Sequence, residues 1–288
     1  MRKFREVIIE KTILLNGFAC ILFVILIFVF LAKDGLALFK TIAIQDFLFG
    51  RIWSPLNEPP QFGILPLFLG SLFVTIGAAV ISVPLGIACA IFIGEIAPRW
   101  MREFLKAGVE LLAAIPSIVI CFIGMALLGP VVKSLFHLPT GLTALTGSIA
   151  LAFMAIPTMV SIMEDAITSV PRTYKEGSFA LGATHWQTIY RVIIPAASSG
   201  IVAAIMLGIG RVIGETMAVM MLTGNASVMP ETILAPVRTM TATIAAEMGE
   251  TVRGSEHYFS LFAIGLVLFG ITFLINFLAD MARHRKKL

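Results

Sequence analysis

Two ionisable residues stand four apart in an otherwise apolar stretch: Arg211 and Glu215, in GIGRVIGETMAVMM at residues 208–221. Successive side chains on a helix turn by about 100°, so the two would share one face, one turn apart. Arg211 lies near the middle of the apolar run, where inserting an arginine into a bilayer costs about 2.5–3.5 kcal/mol on translocon scales. Intramembrane charges mostly face a bundle interior or a water-filled pathway. A guanidinium offers a fork of donors suited to oxyanions. Two roles stand open: an ion pair that only holds the fold, and a polar lining for an anion's path, with Thr216 beside it. Replacing buried ion pairs by apolar residues is often harmless to stability, which weighs toward the second.

Other chemistry finds little to work with. There is no Gly-x4-Gly-Lys-Ser/Thr phosphate loop, so this chain is not itself expected to hydrolyse ATP. No HExxH, paired Cys or His spacing, or GxSxG occurs, so neither a metalloprotease nor a serine hydrolase is supported, and no metal or cofactor is expected. His137, His185, His257 and His284 are scattered and read as solvated or interfacial. Glu95 reads as an end-of-helix residue facing water or a docking site. The three cysteines, Cys20, Cys89 and Cys121, fall in three different apolar blocks and read as packing residues. Met217, Met220 and Met221 read as adaptable filling. Gly200, Ala204 and Gly208 form a small-residue stripe, and Gly210 with Gly214 a GxxxG, both suited to close helix approach.

The elements that would position Arg211 are membrane helices. Hydrophobic residues are 58% of the 288 and charged residues 13%, against about 45–50% and about 25% in a soluble chain. Six apolar blocks, roughly 12–32, 67–93, 108–130, 141–163, 196–223 and 258–280, approach or exceed the 20 or so residues that cross a bilayer. The expectation is an all-α, polytopic membrane protein with six transmembrane helices. The first block exceeds a signal-peptide core and lacks a small-x-small cleavage site, so it reads as a retained helix.

Orientation follows from the basic residues. With both ends in the cytoplasm, 14 of the 21 Lys and Arg lie inside and six outside, Arg211 being within a span. That fits the positive-inside rule. The net charge of +4 therefore speaks of topology and membrane lipid, not of nucleic acid. The extracytoplasmic segment 33–65 holds four prolines between Pro55 and Pro66, and Trp53 suits the headgroup region.

The inner loop 164–195 has no spanning run, yet Phe179, Ala183, Trp186, Ile189 and Tyr190 are spaced to share one side of a helix bracketed by Pro171 and Pro195. It suits a docking surface or a helix lying in the lipid interface equally well. Its text, EGSFALGATHWQTIYRVIIP at 176–195, resembles the "EAA" signature of ABC importer permeases: Glu-Ala-Ala, three residues, Gly, nine residues, Ile-x-Leu-Pro. Glu176, Gly182, Val192, Ile194 and Pro195 fall at matching positions, and Gly177 and Ser178 replace the alanines with small residues.

The resemblance implies a type I ABC importer permease (binding-protein-dependent transport inner-membrane component) with a MetI-like core. Residues 1–65 would form a leading helix and outer segment, 66–282 the permease domain with coupling loop 164–195, and 283–288 a basic cytoplasmic tail. It implies that Glu176, Gly182, Ala183 and Pro195 belong to coupling helices seated on an ATPase subunit. LLAAIPSIVI at 111–120, FLFGRIWSPLNEPPQFGILPLFLGSL and LGIGRVIGETMAV at 207–219 are most similar to phosphate importer permeases of the PstC type. That narrower likeness implies transport of inorganic phosphate through a path lined by Arg211, Glu215 and Thr216. The partners implied are a homologous PstA-like permease subunit, a cytoplasmic ATPase dimer and an extracytoplasmic phosphate-binding protein. Alternatives are the same machine carrying molybdate or sulfate, or a channel or secondary transporter working without an ATPase.

Overall fold

A computed structural model describes the chain from Arg2 to Arg285, so the end of the basic tail expected at 283–288 lies outside the described residues. Six helical spans are long and apolar enough to cross a membrane: Ile9–Lys40, Leu65–Ile96, Ser117–Leu135, Ala144–Thr168, His185–Gly214 and Glu256–Phe277. Their number is the expected one; the start of the third and both ends of the fifth are not.

The chain opens with α1 (Arg2–Gly35), a short α2 (Ile44–Phe49) and a two-stranded antiparallel hairpin, β1 (Trp53–Ser54) with β2 (Gln61–Phe62). It continues through α3 (Leu65–Ile91) to α4 (Arg99–Ala114), α5 (Ser117–Ile123) and α6 (Gly129–Leu135). The central helix α7 (Ala144–Thr168) precedes two short helices, α8 (Arg172–Ala180) and α9 (His185–Thr188). The rest is α10 (Ile194–Gly214), α11 (Met217–Leu222), α12 (Met240–Glu247) and α13 (Glu256–Arg285).

The apolar block expected at 108–130 is cut in two. Pro116 forces the residue before it away from helical geometry, and Ile115 is extended at ψ 126°. Residues up to Ala114 therefore belong to the separate amphipathic helix α4, and the third span starts at Ser117. The block expected at 196–223 likewise ends early. Helix α10 stops at Gly214, Glu215 is extended at ψ 134°, and a helix resumes only at Met217.

Pro195, read as a boundary, is not one: the helix runs through it from His185 to Gly214. Proline lacks an N–H, and its ring collides with the carbonyl four residues back. Here the residue before the proline, Ile194, donates to the carbonyl five back, on Ile189, and the widened turn admits the ring. The same device precedes Pro130, with Gly129 bonded to Gly124; before Pro98, Ala97 bonds to Phe92 but turns extended at ψ 133°, and the helix ends there.

Helix α7 is the hub, packed against α3, α10 and α4. Of its most apolar window 61% is buried inside the chain, whereas none of the window in α1 is, so α1 leans on α13 and turns its remaining surface outward. Small residues permit the close crossing of α7 and α10. A Cβ on Gly208 would lie 2.1 Å from Met159 Cε and one on Gly200 2.4 Å from Ala166 Cβ, with Ala204 fully buried between them. Gly210 and Gly214 meet nothing of this chain within 4 Å, so the GxxxG is not an internal packing motif. Cys121 is buried as expected, but Cys20 and Cys89 lie on the outer faces of their helices.

A second core caps the end of the bundle away from α8 and α9, formed by Leu38, Phe47, Trp53, Phe62, Ile64 and Leu67 against Met240, Leu261 and Ile264. Trp53 is 3% exposed and so does not sit free in a headgroup layer.

Candidate functional site

Arg211 lies in the last turn of α10, where the helix dipole favours a cation. It is near the end of the helix because Gly214 and the extended Glu215 stop the ladder, not in mid-helix as the apolar run implied. Its side chain is exposed, and Nη1 donates to Thr158 Oγ1 on α7 at 2.9 Å.

The expected pairing with Glu215 does not form. Once the backbone leaves helical geometry at Glu215, the shared face of positions i and i+4 no longer exists. Among the described residues no carboxylate forms an ion pair with Arg211. Glu215 turns instead toward α11, its Oε1 accepting a long hydrogen bond from Ala218 N at 3.4 Å. The Glu215 carbonyl accepts from Thr241 Oγ1 at 2.9 Å, which ties the break to the start of α12. Thr216, half-buried, makes only a 3.4 Å contact from Oγ1 to Gly214 O.

The break is braced from one side. Thr223 Oγ1 donates to Val237 O at 2.7 Å, and Val237 N donates back to Thr223 O at 2.8 Å. Ser71, Thr75, Thr239 and Thr241 line a small hydroxyl-rich recess beside Glu215. Arg211 is thus a cation with a neutral partner, next to an interrupted helix and open to the outside of this chain. Such a group can hold an anion; it cannot by itself make or break a covalent bond.

At the opposite end of the bundle, the segment 164–195 expected to couple forms two short helices, α8 and α9, rather than one. Helix α8 closes with Gly182 N donating to Phe179 O at 2.9 Å and Ala183 N to Ser178 O at 3.2 Å. This pattern needs a left-handed residue, and Gly182 has φ +81°. No atom of this chain lies within 4 Å of where its Cβ would be, so the glycine serves the turn rather than a close contact. Helix α9 begins with a reciprocal cap between Thr184 and Gln187. The turn splits the expected common face: Phe179, Trp186 and Tyr190 are exposed while Ile189 is buried. Glu176 and Pro195 are exposed and Ala183 half-buried.

Three ion pairs tie this end together. Lys175 Nζ on α8 meets Glu95 Oε1 at 2.5 Å, with Glu95 only 6% exposed, so Glu95 faces neither water nor a free docking surface. Lys106 Nζ on α4 meets Glu164 Oε2 at 2.7 Å and Asp165 Oδ1 at 2.9 Å. Hydrogen bonds to those carboxylates hold the Lys106 ammonium above the usual lysine range, so it stays charged.

Beside the second core lies a cluster that residue spacing did not reveal. Glu247 at the end of α12 accepts from Trp53 Nε1 at 3.2 and 3.1 Å and from Arg238 Nη1 at 2.6 Å. It also shares a 2.8 Å hydrogen bond with His257 Nε2, so His257 is not a solvated loop residue. Arg238 and His257 lie 9 and 10 positions from Glu247, whereas Trp53 comes to it across 194 positions, and no residue spacing announces that meeting.

The chain matches the family model described as "Binding-protein-dependent transport system inner membrane component" over residues 82–288. It is 42% identical over 261 residues to the probable ABC transporter permease protein YqgH of Bacillus subtilis, covering 90% of this chain and 84% of the relative. To the phosphate transport system permease protein PstC of Mesorhizobium japonicum it is 39% identical over 249 residues, covering 80% and 75%. Among solved structures, the inward-facing MetNI methionine ABC transporter superposes with TM-score 0.62 at 19% identity, covering 80% of this chain and 99% of that one. This likeness is one of fold.

Proposed function

This chain belongs to the binding-protein-dependent transport system inner-membrane component family, the permeases of ABC importers, and we propose that the solute it moves is inorganic phosphate. It spans the membrane several times and supplies no covalent chemistry of its own. In this reading a homologous PstA-like permease completes the path, two cytoplasmic ATPase subunits supply the energy, and an extracytoplasmic phosphate-binding protein delivers the ion. Both ends of the chain then face the cytoplasm.

The observation that carries the substrate assignment is Arg211, a cation whose described partner is a hydroxyl, at a break in a span. An arginine held by a carboxylate would be neutralised and of little use to an anion. One left uncompensated draws its counter-charge from outside the chain, and a guanidinium suits a tetrahedral oxyanion. Phosphate near neutral pH still carries a proton, so it both donates and accepts. Glu215 and Thr216 stand close enough in sequence to serve its protonated oxygen as the path rearranges. The likeness to PstC permeases supports phosphate over other oxyanions.

The coupling assignment rests on Glu176, Gly182, Ala183 and Pro195. The exposed Tyr174, Phe179, Leu181, Trp186 and Tyr190 around them give the loop an apolar surface, such as a groove on an ATPase would cover. The ion pair Lys175–Glu95 is a route by which movement of that loop reaches the inner end of α3.

The deciding experiment is ATP-dependent uptake of labelled phosphate by membrane vesicles with and without this chain, with sulfate and molybdate as competitors. Uptake that needs the chain and resists both competitors is expected. Uptake blocked by either competitor moves the assignment to that oxyanion, and uptake without ATP removes the importer reading.

A further inference from the structure

We infer that Thr158 is a second anion-contacting residue of the translocation path, acting with Arg211. The inference deepens the reading of Arg211 as a path residue and rests on it. Thr158 follows Pro157 on α7, the helix at the centre of the bundle, and is half-buried where α7 faces the end of α10.

The geometry of its hydroxyl carries the argument. A hydroxyl in an apolar span ordinarily returns its proton to the carbonyl four residues back on its own helix. Several here do so: Ser148 to Ala144 O at 2.8 Å, Thr168 to Glu164 O at 2.9 Å, Thr243 to Thr239 O at 2.9 Å and Thr272 to Leu268 O at 2.9 Å. Thr158 makes no such bond. Its described hydrogen bond is the one it accepts from Arg211 Nη1 at 2.9 Å. Its own proton is therefore free to donate, and a second lone pair is free to accept.

The pair presents donors from two different helices at one place: the remaining N–H groups of Arg211 and the O–H of Thr158. Both can point at one tetrahedral oxyanion. The hydroxyl is also amphoteric, so it accepts from the protonated oxygen of hydrogen phosphate as readily as it donates to a bare one. With Glu215 turned toward α11, Thr158 is the group next to Arg211 that offers this choice. A carboxylate in its place would pair with Arg211 and repel the anion; an apolar side chain would leave the guanidinium without its tether.

The test uses the complete complex in vesicles: both permeases, the ATPase and the binding protein. Thr158→Val removes the hydroxyl at nearly constant shape, and Thr158→Ser keeps it. Loss of one hydrogen bond to a charged group predicts a drop of about 10- to 100-fold in the initial uptake rate for Thr158→Val. Thr158→Ser should keep at least half the wild-type rate, on the order of one small packing change. Both variants should assemble in wild-type amounts. Wild-type uptake by Thr158→Val overturns the inference, and so does an equal loss in the two variants, which marks a packing role. Wild-type vesicles are run first with phosphate, sulfate and molybdate. If they move another of these anions in place of phosphate, the phosphate reading falls, and the valine–serine comparison is scored on that anion with the same outcomes.

Discussion

Replacing Glu247 by alanine should loosen the outer cap of the protein. The Glu247 carboxylate receives Trp53, Arg238 and His257 together, and the Arg238 and Glu247 side chains are only 20% and 15% exposed. Removing one partner of a buried ion pair costs about 3–5 kcal/mol, because the other charge is stranded. Water reaches a fifth of Arg238, so the expected loss lies at the lower end, about 3 kcal/mol. Glu247→Gln keeps an acceptor for the indole but drops the charge that roughly doubles such a bond, and should lose about half as much. Trp53 offers the assay. It is buried, whereas Trp100 and Trp186, the other two tryptophans, are exposed. In a Trp100→Phe, Trp186→Phe background Trp53 is this chain's one tryptophan, so the change in emission on replacing Glu247 reports it. Glu247→Ala should shift that emission toward the solvated wavelength and lower the melting midpoint of the purified complex, with Glu247→Gln between it and wild type. An unchanged midpoint and emission in Glu247→Ala would refute the claim that this cluster holds the outer cap.

Arg211→Gln should give assembled complexes without ATP-dependent uptake. Because Arg211 is not paired with Glu215, adding Glu215→Gln should not restore uptake, and recovery in the double variant would reinstate a structural pair. Gly182→Leu places a branched side chain at φ +81° and should strain the turn between α8 and α9 by about 1–2 kcal/mol. ATP hydrolysis should then persist while uptake falls, and normal uptake would count against the coupling assignment. Cysteines introduced at the exposed positions of 50–60 and 240–250 should react with an impermeant reagent from outside, and those at the exposed positions of 175–190 only from inside. Outside labelling of 175–190 would reverse the topology and remove the coupling loop with it.

How much was legible depends on the range of the interaction that sets each feature. Length and hydropathy are sums over local residues, so the six spans and the membrane setting could be read directly. Gly182 was singled out by the signature it fills, and the structure supplies the reason: it takes a left-handed turn that only glycine adopts cheaply. The Gly200–Ala204–Gly208 stripe was legible because helical spacing alone puts those residues on one face.

Other features were misread because a neighbour in space decides them. Arg211 and Glu215 satisfy the four-residue spacing, yet that rule assumes an unbroken helix. The chain breaks the helix at Gly214 and fastens the released Glu215 carbonyl to Thr241, a residue 26 positions further on. Thr158, the partner Arg211 does have, lies 53 positions earlier, and a threonine in an apolar span carries no mark that singles it out. Trp53 and Glu247 are 194 positions apart, so a tryptophan that suits a lipid headgroup region was found holding a buried carboxylate. Glu95 is the helix-end residue it was read as, but it does not face water, because α8 brings Lys175 to it across 80 positions.

By itself the sequence determined what medium the chain lives in, how many times it can cross, and which residues carry charge where charge is costly. Those are consequences of composition and of periods shorter than a helical turn or two. Only the tertiary structure decided which partner each of those charges meets. A single ion or hydrogen bond is formed by whichever group the packing of α3, α7 and α10 delivers within about 3 Å, and chain separation says nothing about that.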